Sequence, residues 1–73
     1  MSKHTSMTMT EIRASGKQYT FEDPDGRDHT ITGNGAEAGK LVVDGKQWNI
    51  STVAYAFGRQ AAWENEASMT VCD

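Results

Sequence analysis

The pair Asp44-Gly45, set between Leu41-Val42-Val43 and Trp48-Asn49-Ile50, constrains this chain more than any other feature. Aspartate followed by glycine is the strongest short-range hairpin signal, because both residues accept the left-handed backbone of a two-residue turn. Such a turn pairs Leu41 with Trp48 and Val43 with Lys46, so Leu41, Val43, Trp48 and Ile50 share one face. A second turn, Asp23-Pro24-Asp25-Gly26, works through different chemistry. Pro24 presets the first turn position, and Gly26 takes the left-handed place of a three-residue loop with a bulge. That loop sets Asp23 opposite Arg27, Phe21 opposite His29 and Tyr19 opposite Ile31. A loop one residue longer would put Tyr19 against Thr30 and split the apolar face. Ser15-Gly16 reads as a third hairpin tip, with Ala14 opposite Lys17, Ile12 opposite Tyr19 and Thr10 opposite Phe21.

The fold expected from these turns is α+β. An antiparallel sheet has strands at about 8–14, 17–23, 27–32, 40–43 and 46–50, followed by one C-terminal helix over about 52–68. Ser51 or Thr52 is the expected helix cap, and the alanine-rich stretch after it supports the helix. At 100° per residue Val53, Ala56, Phe57, Gln60 and Ala67 face one way, with Trp63 on the flank. Tyr55, Arg59, Ala62 and Glu66 fall on the other side. Residues 1–7 carry no periodic pattern and read as a disordered tail, with 8–73 as a single small domain. Met69–Asp73 is expected to fray or to add a short edge strand. Gly33-Asn34-Gly35-Ala36-Glu37-Ala38-Gly39 is expected to be a flexible connection.

Only four valines, three isoleucines, one leucine and six aromatics supply large, non-methionine apolar side chains among the 73 residues. A domain of this size supports one small core and no enclosed cavity for a large cofactor. Seven Lys/Arg against ten Asp/Glu leave a net charge of −3, and the cations are spread almost evenly. Direct nucleic-acid binding needs a basic face and is not expected here. Ten acids are also too few to mimic DNA along a whole face, so a basic protein surface is the better electrostatic partner. A single cysteine, Cys72, excludes an internal disulfide and fits a reducing compartment. Met1–Ser6 has no apolar stretch of the signal-peptide kind, and no apolar run approaches the length of a membrane span.

Motifs for chemistry fail on spacing. A P-loop counted back from Gly39-Lys40 has Asn34 in place of its first glycine and Leu41 in place of its hydroxyl. The dinucleotide pattern from Gly33-x-Gly35 misses its third glycine by one residue. Glu22-Asp23-Pro24-Asp25-Gly26-Arg27-Asp28 lacks the further ligands of a calcium loop. His4, His29 and Cys72 are too scattered for zinc, and His29 is expected to pair across the sheet with Phe21. Ser or Cys nucleophiles have no positioned His and acid, so no catalytic, cofactor or metal site is expected.

Two features remain for binding. The acidic turn (Glu22, Asp23, Asp25, Asp28) offers a negative knob to a basic partner. Tyr55, Arg59 and Trp63 recur at i, i+4 and i+8 and belong to the residue types that dominate binding hot spots, with Glu66 beside them. Trp63 serves equally well as a core residue, with Tyr55 an ordinary surface side chain.

Over its whole length, from Met1-Ser2-Lys3-His4 through Asp44-Gly45-Lys46-Gln47-Trp48 to Cys72-Asp73, the chain resembles the small RNA polymerase-binding transcription regulators of lytic phages that infect Xanthomonas. The likeness is one of length, character and string, with no diagnostic motif. It implies a protein that binds bacterial RNA polymerase at the β′ N-terminal region and the β flap. It further implies inhibition of initiation by interference with σ association, and antitermination during elongation. The expected setting is the host bacterial cytoplasm, and the expected state is a monomer. A different class, a phage or plasmid inhibitor of a host nuclease or restriction complex, fits the same composition. So does a small non-enzymatic binding domain.

Overall fold

Thr8 and Glu11 settle the first helix between them. The Thr8 hydroxyl accepts from the Glu11 amide at 3.1 Å, and the Glu11 carboxylate accepts from the Thr8 amide at 2.8 Å. This capping box satisfies two donors that a helix start leaves unpaired, and it opens helix α1, Met9–Ser15. Gly16, at φ 69°, closes it in the left-handed conformation. The strand expected over 8–14 is therefore a helix, and Ser15-Gly16 is a helix end rather than a hairpin tip. Met9 and Ile12, three residues apart, are both fully buried, so the helical period outweighs the alternation.

The computed structural model describes residues 4–57 and 68–72. Around α1 it places strands β1 (His4–Thr8), β2 (Gln18–Glu22), β3 (Asp28–Thr32), β4 (Lys40–Val43), β5 (Lys46–Asn49) and β6 (Ser68–Cys72), with helix α2 at Ile50–Ala56. The strands form one antiparallel sheet in the order β1-β6-β2-β3-β4-β5. No helix among the described residues is long and apolar enough to cross a membrane.

Two of the three expected hairpin registers are present. Tyr19 pairs with Ile31 and Phe21 with His29, while Leu41 pairs with Trp48 and Val43 with Lys46. Gly26 stands at φ 82°, Gly45 at φ 80° and Asp44 at φ 52°, the left-handed positions these turns need.

The two ends of the chain differ from expectation. The stretch read as a tail is a strand from His4 onward, with His4 opposite Cys72 and Thr8 opposite Ser68. β6 lies inside the sheet between β1 and β2, where fraying or an edge position was expected. Its apolar residues Met69 and Val71 are buried, and that burial is what draws it inward.

The C-terminal helix also needs correction. It starts at Ile50, after an Asn49 cap that makes no side-chain hydrogen bond, and Phe57 leaves the helical region at φ −127°. Ser68, its expected last residue, opens β6, and residues 58–67 lie outside those described. Val53 and Ala54 are the buried positions, whereas Ala56, expected to face the core, is exposed.

The core is one cluster on one face of the sheet. Tyr19, Phe21, Ile31, Leu41, Val43, Met69 and Val71 come from the strands, and Met9, Ile12, Val53 and Ala54 from the helices. Alternate strand positions, among them Thr20, Glu22, Asp28, Thr30, Thr32 and Thr70, form the opposite face, and none of these is buried.

The glycine-rich connection is pinned rather than slack. Gly33 lies so close to α1 that a Cβ there would fall 2.3 Å from the Arg13 carbonyl oxygen and 2.5 Å from its Cα. The Arg13 guanidinium donates to the Lys40 carbonyl at 2.6 Å. The Gln47 amide donates to the Gly35 carbonyl at 2.8 Å and accepts from the Glu37 amide at 3.2 Å.

Candidate functional site

Asp23 organises the acidic turn from within. Its Oδ1 accepts from the backbone amides of Asp25 and Arg27, each at 2.9 Å. Its own amide donates to the Arg27 carbonyl at 2.9 Å, and its carbonyl accepts from Gly26 at 2.9 Å. An aspartate that bonds the backbone two residues on is a standard way to stiffen such a turn. The remaining oxygen, Oδ2, accepts from His29 Nε2 at 2.7 Å, and the Asp23 side chain is only 10% exposed. Asp23 is thus committed to the fold, unlike the role expected for it as a free contact residue.

His29 continues the network. Its Nδ1 lies 2.6 Å from Asp44 Oδ2, while Asp44 Oδ1 accepts from the Thr30 amide at 3.1 Å. A neutral imidazole has one donor and one lone pair, so only the imidazolium donates to both carboxylates. The Asp44 and Asp23 bonds accordingly raise His29 above the ordinary histidine range, against a smaller opposing effect of desolvation. The same bonds lower Asp44 and Asp23, with help from the Thr30 amide in the first case and the Arg27 amide in the second.

The imidazole also stacks on Phe21 with ring centroids 5.2 Å apart, the cross-strand pair expected from the register. Phe57 packs on Phe21 at 5.0 Å, on His29 at 5.3 Å and on Trp48 at 5.6 Å. The end of α2 is thereby fastened to the base of the acidic hairpin.

Glu22, Asp25 and Asp28 remain as exposed carboxylates on that hairpin, and none of them makes an ion pair among the described residues. Glu22 stands directly opposite Asp28, a like-charge pairing that works against the sheet. Tyr55, on α2, is 84% exposed. Arg59, Trp63 and Glu66 lie outside the described residues.

His4 and Cys72 are brought together from opposite ends of the chain, with Cys72 Sγ 3.1 Å from His4 Nδ1. They border an open pocket of about 340 Å³ that Glu22 and Asp28 also line. Among the described residues no three His, Cys, Asp or Glu side chains converge to hold a metal ion. Both nitrogens of His29 are already bonded to carboxylates, which leaves no lone pair there for a ligand.

Sequence reasoning missed Asp44 and Phe57 as partners of His29. The Asp44-Gly45 turn signal accounted for the residue, and nothing local pointed to a histidine fifteen positions earlier. Compared with known protein families, curated proteins and solved structures, the chain matches none.

Proposed function

We propose that this chain is a non-enzymatic, phage-type regulator that binds bacterial RNA polymerase through its acidic hairpin. In this reading it hinders initiation by interfering with σ association and promotes antitermination during elongation, in the cytoplasm of the host. The observation that carries the binding part is the group Glu22, Asp25 and Asp28, exposed and in no ion pair among the described residues, on a hairpin held rigid by Asp23 and His29. Preorganised carboxylates steer a basic surface into place and lose little entropy on binding. Tyr55 supplies an amphipathic contact on α2, whose C-cap residue Phe57 packs on Phe21 at the hairpin base. The polymerase as target, its β′ N-terminal region and β flap as the docking place, and the effect on σ come from the resemblance to phage regulators.

The test is co-migration of the purified chain with bacterial RNA polymerase, as core and as σ-bound holoenzyme. Binding to core with loss of σ or of promoter activity is expected. Reversal of Glu22, Asp25 and Asp28 to lysine is expected to weaken that binding more than tenfold, with Asp23 left in place to preserve the fold. Unchanged binding by the triple variant removes the hairpin from the interface. A chain that ignores polymerase from a Xanthomonas-type host, and instead captures a nuclease or restriction subunit, overturns the polymerase reading.

A further inference from the structure

We infer that the Asp23–His29–Asp44 bridge is a proton-operated latch that ties the Asp44-Gly45 turn to the acidic hairpin and releases the Asp44 side first. The bridge links the side chains of two turns whose backbones meet through β3, where the Asp44 amide donates to the Thr30 carbonyl at 3.0 Å. Asp23 comes from the β2–β3 turn, Asp44 from the β4–β5 turn, and His29 from β3 between them. The other groups packed on the ring are Phe21 from β2 and Phe57 at the end of α2, both uncharged. Among the described residues Asp23 and Asp44 are therefore the charged groups that face it.

The two halves of the bridge are unequal. Asp23 is anchored by two backbone amides and is 10% exposed, whereas Asp44 holds one longer amide contact and is half exposed, at 50%. Asp44 also occupies a left-handed backbone conformation, at φ 52°, that costs a non-glycine residue energy. When the imidazolium loses a proton, one nitrogen must present its lone pair to a carboxylate, and that contact turns repulsive. The stacked ring cannot swing away from Phe21 and Phe57 without unpacking them. The proton consequently stays on Nε2, facing the better-anchored Asp23, and the Nδ1 lone pair expels Asp44. The bridge then carries one more negative charge, and the Asp44 side chain is released from His29 while its backbone amide keeps its bond to the Thr30 carbonyl at 3.0 Å. This device depends on nothing about the partner and stands whether or not the chain binds polymerase.

Two sets of backbone amides report on the two halves separately. Thr30 N–H bonds to Asp44 Oδ1, and Asp25 and Arg27 N–H bond to Asp23 Oδ1. Amide exchange of the full chain is followed by NMR across the titration of the His29 ring, with each rate divided by its intrinsic value. Thr30 protection is expected to fall about tenfold as the ring deprotonates, while Asp25 and Arg27 keep theirs. Asp44→Asn, which keeps an acceptor for Thr30 but removes the charge, is expected to make Thr30 protection independent of pH. His29→Gln serves as a second variant with no titrating ring. Constant Thr30 protection through the titration overturns the latch. Loosening at Asp25 and Arg27 instead of Thr30 overturns its direction, and so does a Thr30 response that persists in Asp44→Asn.

Discussion

Helices α1 and α2 are both seven residues long and are held by opposite means. α1 carries a complete capping box at Thr8 and Glu11, a left-handed glycine at its end, and an arginine in its last turn. α2 has no side-chain cap and no charge complementing either end. It persists through what it buries, Val53 and Ala54 in the core and Phe57 in the aromatic cluster. Helices this short are unstable alone in water, so each needs its neighbours. The difference lies in how much of the specification is local. α1 is held by caps in its own residues although its pattern also reads as a strand, and α2, which the alanine-rich pattern does point to, is held by what it packs against.

Four substitutions and one titration probe that contrast. The largest effect is expected from Gly33→Ala, whose added Cβ would meet the Arg13 backbone. Backbone cannot step aside as a flexible side chain can. α1 must lift from β3 or the loop must move, at a cost of about 3 kcal/mol or more, read as a lowered midpoint in thermal or urea unfolding. Preserved stability would mean that α1 is not seated against Gly33 at all.

Val53→Ala comes next, at about 2 kcal/mol, since it removes buried methyls from the residue that docks α2. Helical circular dichroism should fall with it if α2 depends on packing. Thr8→Ala is expected to cost about 1 kcal/mol by unmaking the box with Glu11. Asn49→Ala, at the equivalent position of α2, should stay within about 0.5 kcal/mol, because no cap bond is lost. Equal losses at Thr8 and Asn49 would erase the distinction between the helices.

The smallest effect concerns pH. Asp23 and Asp44 titrate below their usual 3.8, so their stabilising contribution is present above that value and is lost as pH falls through the lowered midpoints. His29 titrates above its usual 6.5, so its contribution is complete below that value and is lost as pH rises through the raised midpoint. Stability from this bridge is therefore greatest between about pH 4 and 6.5, and it declines on both sides. Denaturant melts at intervals across that range check the shape, and His29→Gln should flatten the alkaline limb.

The legible parts of the candidate site were those carried by a single hairpin. The acids at Glu22, Asp25 and Asp28, and the stacking of His29 on Phe21, follow from one turn and one register. The withdrawal of Asp23 into the fold was less visible, because an aspartate before proline reads equally well as a surface charge. The Thr8-to-Glu11 box was present in the sequence as Thr-x-x-Glu, with Met9 and Ile12 at helical spacing. Alternation over the same residues pointed to a strand, and the short window allowed both periods.

What the sequence alone determined about this protein is its local geometry. Turn residues with fixed backbone preferences set the two hairpin registers, and period-two patterning chose the buried face. Everything that joins distant parts of the chain was decided by the tertiary structure. The pairing of β1 with β6, the placing of β6 inside the sheet and the reach of Asp44 to His29 leave no local signature. The reason is entropic. Contacts between residues far apart form only after the chain has closed large loops, and what stabilises them is the shared burial of Met69, Val71 and the remaining core, to which each segment contributes only a few residues.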